Sequence, residues 1–99
     1  MSEAGHRPGP SGVDDRTLLL LGKPDCHLCH VMRAVVDRVA PAFGLDVVER
    51  DVRESPEWEG YRLEIPVLLL GGRELARHRL DEAGLRRRLT ESGLPLRQP

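Results

Sequence analysis

The sequence predicts a single α/β domain of order β-α-β-(α)-β-β-α, in which a four-stranded mixed sheet carries helices on both faces. Three observations predict it. The apolar run Thr17 to Leu21 lacks alternation, as expected of a strand buried on both faces, and passes through Gly22-Lys23-Pro24-Asp25 into a helical pattern. A second β-rich stretch follows that helix, and a right-handed crossover makes the two strands parallel. A third apolar run, Pro66 to Leu70, turns at Gly71-Gly72 into a fourth strand and so gives an antiparallel hairpin.

Each element has its own signals. From Cys26 to about Ala40, the residues Cys29, Met32, Val35, Val36 and Val39 recur at helical spacing, and Pro41 with Gly44 ends the pattern. The second strand falls in LDVVERDV, where Val47, Val48 and Val52 supply β-branched residues. A short helix follows. Ser55 suits its N-cap, Pro56 its first position, and Glu57 and Glu59 the positive end of its dipole. The hairpin's second strand runs from Arg73 to about Arg79. Asp81 caps the final helix, Leu80 staples onto Leu85, Leu89 continues the apolar stripe, and Gly93 with Pro95 ends it. The domain is therefore expected over 17–93. Residues 1–16, polar and rich in Pro and Gly, and 94–99 are expected to be flexible tails.

Composition narrows the function. Hydrophobic content of 39% with charged content of 31% is that of a soluble globular chain, and the longest apolar run, Leu18 to Leu21, cannot span a bilayer. The first residues lack the apolar stretch of a secretory leader, so the expected setting is the cytoplasm, with a monomeric chain and no membrane partner. A net charge of -1 and only three aromatics, Phe43, Trp58 and Tyr61, argue against nucleic acid as a partner. Fourteen of the fifteen basic residues are Arg, and the one Lys, Lys23, stands three residues before Cys26.

The chemistry lies in KPDCHLCH. A reducing cytosol disfavours structural disulfides, so a C-x-x-C pair there points to catalysis or metal binding. A thiol at a helix N-terminus has its pKa lowered by the unpaired N–H groups and the dipole, which makes Cys26 the candidate nucleophile. Cys29, one turn on, can attack a mixed disulfide on Cys26 and resolve it. Lys23 and His27 add positive charge near Cys26, and Asp25 opposes it. At Ile65-Pro66, a cis bond at the strand start leaves the Ile65 backbone to pair with an incoming extended chain.

Taken together, the element order, the C-x-x-C at the first helix and the Ile65-Pro66-Val67 strand start resemble the thioredoxin fold, and KPDCHLC is similar to the KPxCxxC form of glutaredoxins. The resemblance covers about residues 17 to 92. It implies a thiol-disulfide oxidoreductase that reduces protein or glutathione mixed disulfides, with Cys26 as nucleophile, Cys29 as resolving thiol, Pro66 as the cis-proline and Lys23 facing the glutathione carboxylate. Glutathione or a protein thiol is then the electron donor, and no bound cofactor is required. Two features depart from the glutaredoxin pattern. His27-Leu28 replaces the common Pro-Tyr, and the Gly-Gly pair that holds part of glutathione gives way to Ala76-Arg77-His78-Arg79-Leu80-Asp81.

Other readings of the same residues are an interaction module that keeps the fold without turnover, zinc held by the cysteines with His27 or His30, and c-type haem attached through CHLCH. Zinc lacks a second ligand pair, and haem attachment conflicts with the β-rich pattern. Arg73, Arg77 and Arg79 are expected on one solvated strand face, and Arg86-Arg87-Arg88 facing solvent.

Overall fold

The structure, a computed structural model, describes residues 15–93. Strand β1 is Thr17–Gly22, helix α1 His27–Val39, β2 Asp46–Asp51, β3 Val67–Leu70, β4 Arg73–Arg77 and α2 Glu82–Glu91. Turns of 3-10 helix occupy Ala40–Phe43, Val52–Glu54 and Pro56–Tyr61. The sheet order is β2-β1-β3-β4, with β1 parallel to β2 and antiparallel to β3, and β3 antiparallel to β4. The parallel first pair, the antiparallel hairpin and the four-stranded mixed sheet are as predicted; the strand order comes from the structure. The expected tails fall outside the described residues, except Asp15 and Arg16. These two form the turn into β1, where the Arg16 carbonyl accepts from the Asp46 N–H at 3.0 Å.

Strand β1 is central because its side chains serve two cores. Leu18 and Leu20 join Met32, Val36 and Val39 of α1 and Leu85 and Leu89 of α2 on one face. Leu19 and Leu21 join Val52, Trp58, Val67 and Leu69 on the other. Burial of one such leucine is worth roughly 1.5–3 kcal/mol, so this one strand ties the two layers together. Both α-helices and the Ala40–Phe43 turn thus pack on the first face, and the turns at Val52–Glu54 and Pro56–Tyr61 close the second.

The short helix expected after β2 is present at Pro56–Tyr61 but winds as 3-10. Its Ser55 cap accepts from the Glu57 N–H at 3.4 Å, as the sequence predicted. Six residues that include Gly60 have neither the length nor the propensity to propagate an α-helix.

The last strand departs from simple alternation. Leu68 pairs with Ala76 but Leu69 pairs with Glu74, so Leu75 is an extra residue in β4. This bulge lets consecutive residues, Leu75 and Ala76, both enter the helix-side core. Arg88 of α2 donates to the Leu75 carbonyl at 2.9 Å. Arg88 is exposed, as expected, and carries this bond besides. The strand arginines, in contrast to expectation, do not share one face. Arg73 donates to Ser92 Oγ at 3.0 Å, Arg77 pairs with Glu74 and Glu64, and Arg79 lies beyond the strand. The bulge and the turn after Arg77 break the period that placed them together.

Candidate active site

The loop from β1 to α1 ends on Cys26, whose extended backbone (φ -100°, ψ 110°) makes it the N-cap of α1. The Cys29 N–H donates to Cys26 Sγ at 3.2 Å, a sulfur in place of the usual capping oxygen. The Cys26 N–H in turn donates to the Lys23 carbonyl at 3.2 Å, which closes the loop as a turn. Cys26 and Cys29 are joined as a disulfide, with their Cα atoms 5.2 Å apart.

The two sulfurs differ in access. Cys26 is half-buried, whereas Cys29 is fully buried with Met32 and Val36 on the core side of α1. An incoming thiol or disulfide meets Cys26 first. On reduction, the cap geometry directs an N–H and the helix dipole at Cys26 Sγ, and both favour its thiolate. Behind Cys29 lies Gly22, packed so closely that it leaves no space for a side chain.

The charges around the loop are largely committed. Asp51, opposite Gly22 in the β1–β2 register, accepts from the Arg53 backbone N–H and from its Nε, each at 2.8 Å. The Arg53 guanidinium, then its N–H, and more weakly the Lys23 charge hold the Asp51 carboxyl down at about 2. Lys23 is half-buried and shares a depression with Pro24, His30, Glu49 and Asp51. His30 is bonded through Nε2 to the Pro24 carbonyl at 2.9 Å. His27 is exposed in the first turn of α1. Among the described residues, no group of three or more His, Cys, Asp or Glu side chains is gathered as metal ligands.

Pro66 stands at the same end of the sheet. The Ile65-Pro66 bond is cis. Leu21 pairs with Val67, so one step further along the register Pro66 lies beside Gly22, the residue that backs Cys29. Pro66 is buried and Ile65 half-buried against the second core. Among the described residues neither backbone group of Ile65 has a hydrogen-bond partner, which leaves both for an extended chain. The fold thus gathers Cys26, Cys29, Lys23, His27 and the Ile65-Pro66 corner at one end of β1 and β3.

Three residues escaped the sequence reading. Gly22 reads as a turn residue, yet it belongs to β1 and is required by the sulfur beside it. His78 is exposed, and nothing in the sequence marks its φ of 70°. The Arg79 N–H donates across it to the Arg77 carbonyl at 2.8 Å, a γ-turn of the rare positive-φ form. His78 also clasps the proline corner, with its N–H on the Pro66 carbonyl at 2.7 Å and Nε2 at 2.9 Å from Glu64 Oε1. Arg87 faces solvent as expected, but nothing in the sequence marks that it borders a cleft next to Leu28.

Comparison with known proteins agrees with this geometry. The model of the family described as "Glutaredoxin-like domain (DUF836)" matches residues 17–90. Among solved structures, the chain is similar to a mutant thioredoxin from Halobacterium salinarum NRC-1, at 25% identity and a TM-score of 0.59. That match covers 86% of this chain and 80% of the other. It is also similar in fold to thioredoxin 1 from Thermosipho africanus TCF52B, at 21% identity and a TM-score of 0.51, over 78% of this chain and 98% of that one.

Proposed function

Because this chain belongs to the glutaredoxin-like domain family, we propose that it is a thiol-disulfide oxidoreductase that reduces protein or glutathione mixed disulfides in the cytoplasm. One observation carries the reading. The disulfide joins a half-exposed sulfur that caps a helix to a fully buried one a turn later. In the reduced state the Cys26 thiolate attacks a substrate disulfide, forms a mixed disulfide and expels one substrate thiolate, which takes a proton. Cys29, deprotonated, then attacks Cys26 Sγ and expels the second substrate thiolate. The protein gives up two electrons and ends in the Cys26–Cys29 state. A low-molecular-weight thiol such as glutathione, or a protein dithiol, returns the pair of electrons by the reverse exchange.

The corner at Ile65-Pro66 supports the reading, because its unpaired backbone groups suit the chain that flanks a substrate cysteine. Lys23 is the candidate partner for a glutathione carboxylate, and His27 the rim of the substrate groove. The chain acts as a monomer.

The test is capture with Cys29→Ser. This variant is expected to accumulate mixed disulfides through Cys26, while Cys26→Ser captures none and reduces no disulfide. Partner capture that survives the loss of both cysteines, with no reduction by wild type, would replace the enzyme by an interaction module.

A further inference from the structure

Leu28, Val31 and Met32 form one stripe on α1, three and four residues apart, while His30 projects to the opposite side of the helix. Beside that stripe opens a cleft of about 510 Å³, whose far wall is the connection from His78 to Asp81 and the first turns of α2. The floor is apolar. Leu28 and Val31 are 39% and 46% exposed, unusual for large aliphatic side chains, while Met32 is buried beneath them. Leu80 completes the floor from the other side.

The wall is cationic, and its charges are unequally occupied. Arg88 is tied to the Leu75 carbonyl, and the His78 ring to Glu64. Asp81, the cleft's one carboxylate, accepts from the Gly84 N–H at 2.8 Å as the cap of α2. Glu82, next to it, pairs with Arg38 at 3.6 Å. Arg79 and Arg87 have no ion-pair partner among the described residues, and both line the cleft. Arg87 Nη2 lies 3.9 Å from the position a Cβ would take on the buried Gly84, so its guanidinium is folded over the helix start. With Arg79, Arg87 and Arg88 against Asp81, the cleft is net positive on a chain whose net charge is -1.

We propose that this cleft selects the substrate, taking an extended acidic segment of a disulfide-bearing protein with an aliphatic side chain on Leu28 and Val31 and a carboxylate against Arg79 and Arg87. The inference rests on the oxidoreductase reading above and names its substrate class. Leu28 lies between the two cysteines, so the cleft begins beside the nucleophile. An extended chain advances about 3.3 Å per residue, which brings side chains two to four positions from the substrate cysteine into the cleft. Glutathione has carboxylates for the wall but no aliphatic side chain for the floor.

The test uses disulfide-linked peptides of equal length that place Glu-Leu-Glu, Lys-Leu-Lys or Glu-Ser-Glu three residues from the cysteine. Wild type is expected to reduce the Glu-Leu-Glu peptide with kcat/KM about tenfold above the Lys-Leu-Lys peptide, a preference that shrinks in about 0.5 M salt. The Glu-Ser-Glu peptide is expected to fall between them. In Arg79→Glu/Arg87→Glu the ratio of acidic to basic peptide inverts. In Arg86→Glu, which makes half that charge change on α2 outside the cleft, the ratio stays within about twofold of wild type, since an exposed charge away from the contact is screened. Equal rates for the acidic and basic peptides with wild type would overturn the proposal without any variant, and so would an equal inversion in Arg86→Glu. Reduction of bis(2-hydroxyethyl) disulfide separates the two readings. If wild type reduces it yet ignores peptide charge, only the substrate class fails; if wild type reduces neither, the oxidoreductase reading fails and takes this one with it.

Discussion

A β-carbon on Gly22 would stand 2.7 Å from Sγ and 3.0 Å from Cβ of Cys29. Contacts that short force something to move, and both partners are boxed in, Gly22 by its pairing with Asp51 and Cys29 by the core. Gly22→Ala is therefore expected to cost about 1–3 kcal/mol, the usual penalty of overpacking, and Gly22→Val more. Urea unfolding of the oxidised protein checks it. An alanine variant as stable as wild type would mean that Cys29 has room to retreat.

Access and capping set the two thiols apart. After reduction, Cys26 is expected to react with iodoacetamide at pH 7 several-fold faster than an ordinary thiol, because its place at the N-cap of α1 favours the thiolate. Cys29, fully buried, is expected to stay unmodified while the fold persists. Mass spectrometry of peptides from a timed reaction reads both, and preferential labelling of Cys29 would reverse the assignment of roles.

His78 holds a positive φ that a β-branched residue adopts only under strain. His78→Val is expected to lose about 1–3 kcal/mol, combining that strain with the loss of the bond to Glu64. His78→Asn tolerates the conformation and is expected to lose less. Equal losses in the two variants, measured by urea unfolding, would show that the backbone geometry is not the cause.

Arg88 is expected to matter through the bulge. Arg88→Met keeps most of the aliphatic stem but removes the donor to the Leu75 carbonyl, and the expected loss is about 1–3 kcal/mol. Arg86→Met, an exposed neighbour, is the control and is expected to change stability by less than about 0.5 kcal/mol.

Asp51 gives a pH signature. Its folded pKa, about 2, lies below the ordinary 3.8, so its carboxylate favours the folded state above about pH 4, and that contribution is lost as pH falls through 2. The stability gap between wild type and Asp51→Asn is expected to be constant from pH 5 to 7 and to close between pH 4 and 2. A gap that persists at the acid end would assign the effect to shape and not to charge.

The parts legible in the sequence were those fixed by neighbours along the chain. The caps Ser55 and Asp81 act on N–H groups two or three residues away, so residue type and spacing suffice to find them. The four-leucine run of β1 announces a strand buried on both sides without any knowledge of what covers it. The hidden features depend on register between distant segments. Leu75 is extra only relative to β3, Gly22 is crowded only because α1 returns over it, and Arg88 finds the Leu75 carbonyl across thirteen positions. The γ-turn at His78 has no glycine or asparagine to mark it, since contacts with Pro66 and Glu64 impose the conformation from outside.

The doubly packed strand β1 also gives the site two tempos. Gly22 ends one inner strand and Pro66 leads into the other, and the amides of both strands are shielded on both sides and should exchange with solvent only on global unfolding. The stretch from His78 to Asp81 follows the outer strand β4, and its amides should exchange through smaller, local openings. The cysteine pair is thus backed by the slowest part of the molecule, and the far wall of the proposed cleft lies on a faster one, so that wall can adjust while the cysteine geometry stays fixed.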